Sequence, residues 1–257
     1  MCTNSFTSLF LLGGYDLEML TIRQMLEGRD GCTLLDKHLQ WGNAQLSAYQ
    51  EELSRLDGYA NIYGIELQED IPLPQKYHRI DHHNDWAGNP SSLEQVAVVM
   101  GVELTRYQQL VAANDKGYIP AMEALGASAE EIEDIRRKDR EVQGVTDKDE
   151  FLAEKAIANC LRTHGDITLV QALSSHFSPI CDRLYPYRNL LIYNDVEWMF
   201  CGVGTAELVR LLTDEIQQKK VYHGGGDNGY IESVQNAFDK TEIEQFVNKL
   251  IKKYEHI

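Results

Sequence analysis

Short apolar runs alternate with amphipathic stretches over the first 81 residues of this 257-residue chain, and no other feature constrains its fold as strongly. "SLFLLGG" (8–14) is a compact apolar run, and "LEMLTIRQML" (17–26) follows with a broad apolar helical face. "CTLLDKHL" (32–39) reads as the next strand. Leu46, Tyr49, Leu53 and Leu56 then recur at helical spacing, "NIYGIEL" (61–67) is strand-like again, and "YHRID" (77–81) closes the series. Such alternation predicts a parallel sheet wrapped by helices. Ligands of these sheets gather beyond the carboxyl ends of the strands. Asp16, Glu66 and Asp81 fall at or near those ends, and Asp81 is followed at once by His82 and His83.

Three helical segments come next. Ser91 and Glu94 form a capping-box pattern before Leu93, Val96, Ala97 and Met100. Thr105 caps a second helix carrying Leu110 and Val111, which runs into "AANDKGY" (112–118). Ser128 and Glu131 open the charged stretch "SAEEIEDIRRKDREVQ" (128–143), read as a solvated face, and Gly144 breaks it. Residues 149–161 look like a helical connector. A second, smaller α/β unit follows, with strands at 167–173, 189–193 and 197–203 and a hairpin turn at Asn194-Asp195. The segment 205–216 is helical, and "KVYHGGGDNGY" (220–230) is a strand entering a glycine loop. Ile243, Phe246, Val247, Leu250, Ile251 and Tyr254 form the core stripe of a terminal helix. The expected division is residues 1–145, a connector at 146–164, and residues 165–257, with a cleft between the two domains.

Composition narrows the function. A formal charge of -16 and a pI of about 4.9 exclude broad binding to duplex DNA, which needs a basic surface to displace counterions. A phosphate-bearing small molecule is still admissible if bound metal supplies local positive charge. The five cysteines (Cys2, Cys32, Cys160, Cys181 and Cys201) contain no C-x-x-C pair and read as mostly buried thiols in a reducing compartment. The opening apolar run has no cationic flank and is too short to span a bilayer, so a soluble cytoplasmic protein with no membrane partner is expected.

Taken singly, the candidate residues have bland readings. Asp16 and Glu18 suit a helix N-terminus, Glu66 a surface acid, and Asp115 a turn. Adjacent histidines are more often structural or exposed than metal-bound. His38, His78, His164 and His176 have no supporting neighbours and read as surface or core histidines. Joint order and placement distinguish the others. Carboxylates and imidazoles from several strand ends suit Mn²⁺, which accepts mixed oxygen and nitrogen ligands.

In that order, "GGYDLEM" with Asp16 and Glu18, Glu66 in "YGIEL", the "DHH" of 81–83 and "ANDKGY" with Asp115 resemble the motifs of the DHH phosphoesterase family. That family includes the RecJ exonucleases, the nanoRNases and related exopolyphosphatases and pyrophosphatases. "YHGGGDNGY" is similar to the glycine-rich loop of its associated C-terminal domain. The resemblance implies metal ligation by Asp16, Glu18, Glu66, His82 and Asp115, with Mn²⁺ as cofactor and Co²⁺ or Mg²⁺ as weaker substitutes. It implies two ions about 3.5–4 Å apart. It further implies catalytic roles for Asp81, His82 and His83, with His83 facing the scissile phosphate and Asp81 orienting its neighbours. Gly224, Gly225, Gly226 and Asp227 become the substrate loop. Three departures stand out: Leu12 where the family has histidine, glutamates at 18 and 66 in place of aspartates, and Asp227 where the loop ends in histidine. The expected activity is hydrolysis of short oligonucleotides or a small nucleotide signal molecule (a cyclic dinucleotide or an antiviral nucleotide messenger) to mononucleotides. A homodimer is compatible with it. The alternative is a catalytically degenerate relative that binds nucleic acid or a protein partner.

Overall fold

The four apolar runs of the first half form four parallel strands, β1 (Thr7–Leu12), β2 (Cys32–Leu35), β3 (Tyr59–Ile65) and β4 (Tyr77–Ile80), in the spatial order β2–β1–β3–β4. The computed structural model describes residues 7–55, 59–224 and 229–254 and divides into two units, Met1–Gln143 and Gly144–Ile257. Side chains alternate across each strand, so a central strand with both faces covered must be apolar throughout. β1 meets that demand. Leu9 and Leu11 pack with Leu46, Tyr49, Ile62 and Leu67 on one face, while Phe10 and Leu12 are equally buried on the other. The register pairs Leu12 with Ile65 and Ile65 with Ile80, so three strands end level.

Helices α1 (Leu17–Leu26), α2 (Gln50–Leu53), α3 (Ser92–Met100), α4 (Arg106–Ala124) and α5 (Ala129–Val142) complete the first unit. Reciprocal capping boxes start α3 at Ser91/Glu94, α4 at Thr105/Gln108 and α5 at Ser128/Glu131. The helix expected from Leu46 onward is instead a 3₁₀ turn, Leu46–Tyr49, running into the four-residue α2. Its first backbone N–H goes to Gln68 O at 2.8 Å, so the turn is tied to the chain beyond β3 rather than to itself. Leu56 lies outside the described residues.

Two further helices carry more than the pattern shows. The helix that runs into "AANDKGY" continues through it as α4, kinked at Gly117 and Tyr118 (φ 59°, ψ -151°), just before Pro120, whose missing N–H cannot sustain the ladder. The charged α5 is not only a solvated face. It buries Ile135, Arg136, Asp139 and Arg140, and Arg136 Nη1 donates to Asp139 Oδ2 at 2.6 Å and to Asn114 Oδ1 at 2.9 Å. A buried guanidinium needs such partners.

The second unit is a six-stranded mixed sheet in the order β5–β6–β7–β8–β10–β9, made of β5 (Leu161–His164), β6 (Ile167–Gln171), β7 (Asn189–Tyr193), β8 (Trp198–Gly202), β9 (Val221–Gly224) and β10 (Tyr230–Ser233). Helix α6 (Asp147–Cys160) packs Ala153 and Ala156 against one face, and the chain then enters β5. The segment 146–164 is therefore part of this unit, not a free connector. Short helices α7 (Ser178–Leu184), α8 (Thr205–Leu211) and α9 (Thr213–Gln217) precede α10 (Lys240–Tyr254), whose Ile243, Val247, Leu250 and Tyr254 fill the opposite face. The expected hairpin joins β7 and β8, where Asn194 Oδ1 accepts from the N–H groups of Val196 and Glu197. Gly224 ends β9, while Gly225, Gly226 and Asp227 lie outside the described residues. Among the described residues, Cys32, Cys160, Cys181 and Cys201 form no disulfide, and the last two are buried; Cys2 lies outside the described residues. No described helix is long and apolar enough to cross a membrane.

Fully buried Tyr49 locks the end of β1, its hydroxyl donating to Leu12 O at 2.6 Å and accepting from Lys37 N at 3.2 Å. Tyr49→Phe leaves both groups without that partner and should lower unfolding stability by about 1–3 kcal/mol in urea denaturation. An unchanged midpoint would show that the hydroxyl holds nothing.

Candidate metal centre

Level strand ends bring distant carboxylates together. Glu66 directly follows β3 and Asp81 directly follows β4, so the two emerge side by side at the carboxyl edge. Glu66 leaves its strand in the left-handed region (φ 52°), an uncommon conformation for a side-chain-bearing residue, while its N–H still bonds Ile80 O at 2.8 Å. Close approach at the neighbouring strand end depends on Gly13. A Cβ there would fall 2.3 Å from Glu66 O and 2.5 Å from Ile65 O. Only glycine lets the chain leaving β1 lie against Glu66.

The N-terminus of α3 anchors this edge. Its capping box uses the Glu94 N–H, leaving the Leu93 N–H to donate to Glu18 Oε1 at 3.0 Å. Ser92 Oγ donates to Glu66 Oε1 at 2.6 Å. The positive end of the helix thus receives two acids from other elements. Each anchored carboxylate has a second oxygen, Glu18 Oε2 and Glu66 Oε2, that is buried without a hydrogen-bond partner. Asp115 Oδ2 and His82 Nε2 are in the same condition.

These atoms converge. His82 Nε2 lies 2.6 Å from Asp115 Oδ2, 3.3 Å from Glu66 Oε1 and 3.5 Å from Glu18 Oε2. The shortest contact has the length of a hydrogen bond without its alignment, so the imidazole points among the carboxylates rather than along any one of them. Glu66, His82, His83 and Asp115 each offer a ligand atom within 4.8 Å of the others. Buried donors that meet around a common point without satisfying one another fit a divalent cation of oxygen and nitrogen preference.

The structure brings the remaining candidates near in different ways. Asp16 caps α1, its Oδ1 accepting from Met19 N at 2.9 Å, as a helix-terminal acid would. It is also buried close enough to the centre to feel the charges of Asp115, Glu66 and Glu18. Asp81 turns the chain: Oδ1 accepts the His83 N–H at 2.8 Å, and its carbonyl accepts from Asn89 Nδ2 and Gln95 Nε2. The Asn89 carbonyl in turn accepts from Lys116 Nζ, which joins this turn to the helix carrying Asp115. His82 is buried, whereas the His83 side chain is 42% exposed, with Nδ1 3.7 Å from Glu66 Oε2. Leu12 is buried at the end of β1 and offers no ligand.

No family model and no curated protein matches this sequence. Among solved structures, the chain is similar to the DHH domain of PF0399, a protein described as a member of a family of ribosomal proteins. Identity is 10% and the TM-score 0.53, with 96% of this chain and 87% of that one covered. The chain has the fold of a DHH domain. It also aligns with the pGpG-specific phosphodiesterase PggH from Vibrio cholerae (12% identity, TM-score 0.46, 97% of this chain and 99% of that one). A third match is RecJ from Thermus thermophilus in complex with Mn²⁺ (10% identity, TM-score 0.45, 97% of this chain and 52% of that one).

Electrostatics set the chemical character of this DHH fold. Burial pushes Asp16, Glu18 and Asp115 above the ordinary carboxylate range, and the neighbouring acids add to it. Burial opposes a charged His82, yet the carboxylates of Asp115, Glu18 and Glu66 outweigh it and push the imidazole well up. The described residues thus place four acids around one buried imidazole, more negative charge than they can offset. Sequence reasoning missed several supporting groups: Ser92 and the Leu93 N–H, the Asn114–Arg136–Asp139 network beside Asp115, and Trp41, whose ring lies 6.0 Å from that of His83. The Ser91-Ser92 pair held the clue to the first, since a capping box uses only one of the two serines.

A ligand that binds only the folded chain stabilises it by mass action. Mn²⁺ at 100 times its Kd should add about 2.7 kcal/mol to unfolding stability, and Asp115→Asn should remove most of that gain. Thermal denaturation with and without the ion checks both. An identical Tm in the two conditions would mean that the acids hold no cation.

Proposed function

We propose that this DHH-fold chain is a divalent-metal-dependent phosphodiesterase acting on short oligonucleotides or a small nucleotide signal molecule and releasing mononucleotides. One observation carries the reading: the partnerless buried atoms of Glu18, Glu66, His82 and Asp115 converge beside a half-exposed histidine. A structural ion pair would satisfy its members and exclude water. This cluster keeps water from its buried atoms but leaves their hydrogen bonds unmade, and it sets surplus charge next to a half-exposed imidazole.

In this proposal Glu66, His82 and Asp115 hold one ion. Asp16 and Glu18 contribute to a second, weaker position where Leu12 supplies nothing. Mn²⁺, or Co²⁺ or Mg²⁺ in its place, brings positive charge against the phosphate and makes a nucleophile available near neutral pH. The chain's own residues do the rest. Ser92 and the Leu93 N–H fix the two glutamates, so that little reorganisation accompanies charge development. Asp81 sets the backbone of His83 through its N–H. Burial opposes a charged His83 while Asp81 and Glu66 favour it, and the half-exposed ring can donate a hydrogen bond to a phosphate oxygen. Small substrates suit a chain of net charge -16, since a long strand would have to cross acidic surface to reach the centre.

The division of labour between the two histidines is open to test. His82→Ala should lose both metal and turnover. His83→Ala should keep its metal, measured by elemental analysis, and lose about 100-fold in kcat. Equal metal loss in both variants would reject the assigned roles. Nucleotides of two to four units should be cleaved faster than long single strands, as read by chromatography of products, and equal rates would reject the substrate class.

A further inference from the structure

Outside the acids and imidazoles, one exposed side chain is placed against this centre in a manner that packing alone does not explain. Trp41 opens a 3₁₀ turn, Trp41–Asn43, whose ends are closed by Asn43 Oδ1 accepting from Gln40 N at 2.9 Å and Gln40 O accepting from Asn43 N at 2.8 Å. The indole carried by this turn is 47% exposed.

The orientation of the ring follows from Gly14. A Cβ at Gly14 would fall 2.3 Å from Trp41 Cε3, 2.3 Å from Cζ3 and 2.4 Å from Cδ2. Those are three consecutive atoms of the six-membered ring. A point nearly equidistant from all three lies above the ring's centre, so Gly14 covers one face of the indole. The exposed area therefore belongs to the opposite face and the edge. Glycine is what allows the ring to lie flat on the loop leaving β1, the same loop that leads into Asp16. The ring also neighbours His83, with centroids 6.0 Å apart and planes inclined by 57°. The His83 Nδ1 in turn lies 3.7 Å from Glu66 Oε2. Open indole face, half-exposed imidazole and buried acids thus form one contiguous series.

We propose that the free face of Trp41 is a stacking platform for a nucleobase, the base of the nucleotide whose phosphate sits at His83; this rests on the phosphodiesterase reading for the position of the phosphate. A base and its own phosphate are separated by a single sugar, which matches two adjacent side chains. Charge makes the platform useful. In a chain of net charge -16, phosphates gain little away from the metal centre, whereas a neutral ring face attracts any base irrespective of its sequence. Purines, with the larger π-surface, stack better than pyrimidines.

Calorimetry on the full chain with Mn²⁺ present decides it, using adenosine 5′-monophosphate and ribose 5-phosphate as probes. The wild type should prefer the base-bearing ligand by about tenfold or more, the preference should collapse toward one in Trp41→Leu, and Trp41→Phe should retain most of it. Equal binding of the two ligands by the wild type overturns the platform. So does an unaltered preference in Trp41→Leu, or a parallel loss of both ligands, which would mark Trp41 as structural only. Circular dichroism of each variant checks that it folds, and Trp41→Phe carries the same test if Trp41→Leu does not. Hydrolysis of a diadenylate and of its abasic counterpart by the wild type reports the phosphodiesterase reading separately. If neither is cleaved, that reading fails, while the calorimetric preference still decides the platform.

Discussion

Negative charge gathered in a buried place is the constraint on which the first unit of this protein turns. Asp16, Glu18 and Glu66 are all less than a tenth exposed, and Asp115 joins them across His82. Ionised carboxylates are costly to bury unless something positive faces them. Two supports within the chain answer part of that cost, the His82 imidazole and the N-terminus of α3. Neither gives the second oxygens of Glu18 and Glu66 an aligned hydrogen bond, although His82 Nε2 lies 3.5 Å from Glu18 Oε2. A divalent cation is the simplest group that answers such an arrangement, since Glu66, His82 and Asp115 offer ligand atoms within 4.8 Å of one another.

The rest of the unit serves to hold that arrangement in place. Parallel strands in matched register end together, so Glu66 and Asp81 emerge side by side without long loops. Gly13 removes the one Cβ that would keep the chain after β1 away from Glu66. The Asp81 turn points His82 inward and leaves His83 outward. On the far side, Asn114 is held by the buried Arg136–Asp139 pair, which fixes the turn of α4 that carries Asp115 before the kink at Gly117 and Tyr118. A strained Glu66 backbone is tolerated because strand, helix and glycine all determine its position.

Much of this was legible in the sequence, for identifiable reasons. Strand–helix alternation reports on burial, and burial decides the parallel sheet; capping boxes are local, and those at Ser91/Glu94 and Ser128/Glu131 appear where the pattern put them. Candidate acids could be named because strand ends are visible as ends of apolar runs. What was not legible depended on distant partners. The stretch from Leu46 has helical spacing, yet a backbone bond to Gln68 and the reach of Tyr49 to Leu12 make it a 3₁₀ turn. Charge density in α5 concealed a buried ion pair, since composition does not say which of many charges faces inward. The roles of Ser92 and Trp41 required the fold, as each acts on a residue far away in sequence.

The claim at the centre of this account is that the surplus acids exist to hold a cation. Anomalous diffraction from a crystal soaked in Mn²⁺ tests it most directly, because the signal locates the ion without reference to activity. The account predicts a peak among Glu66, His82 and Asp115, with any second, weaker peak on the side of Asp16 and Glu18. Strong Mn²⁺ peaks elsewhere on the chain, with none among those residues, would contradict it.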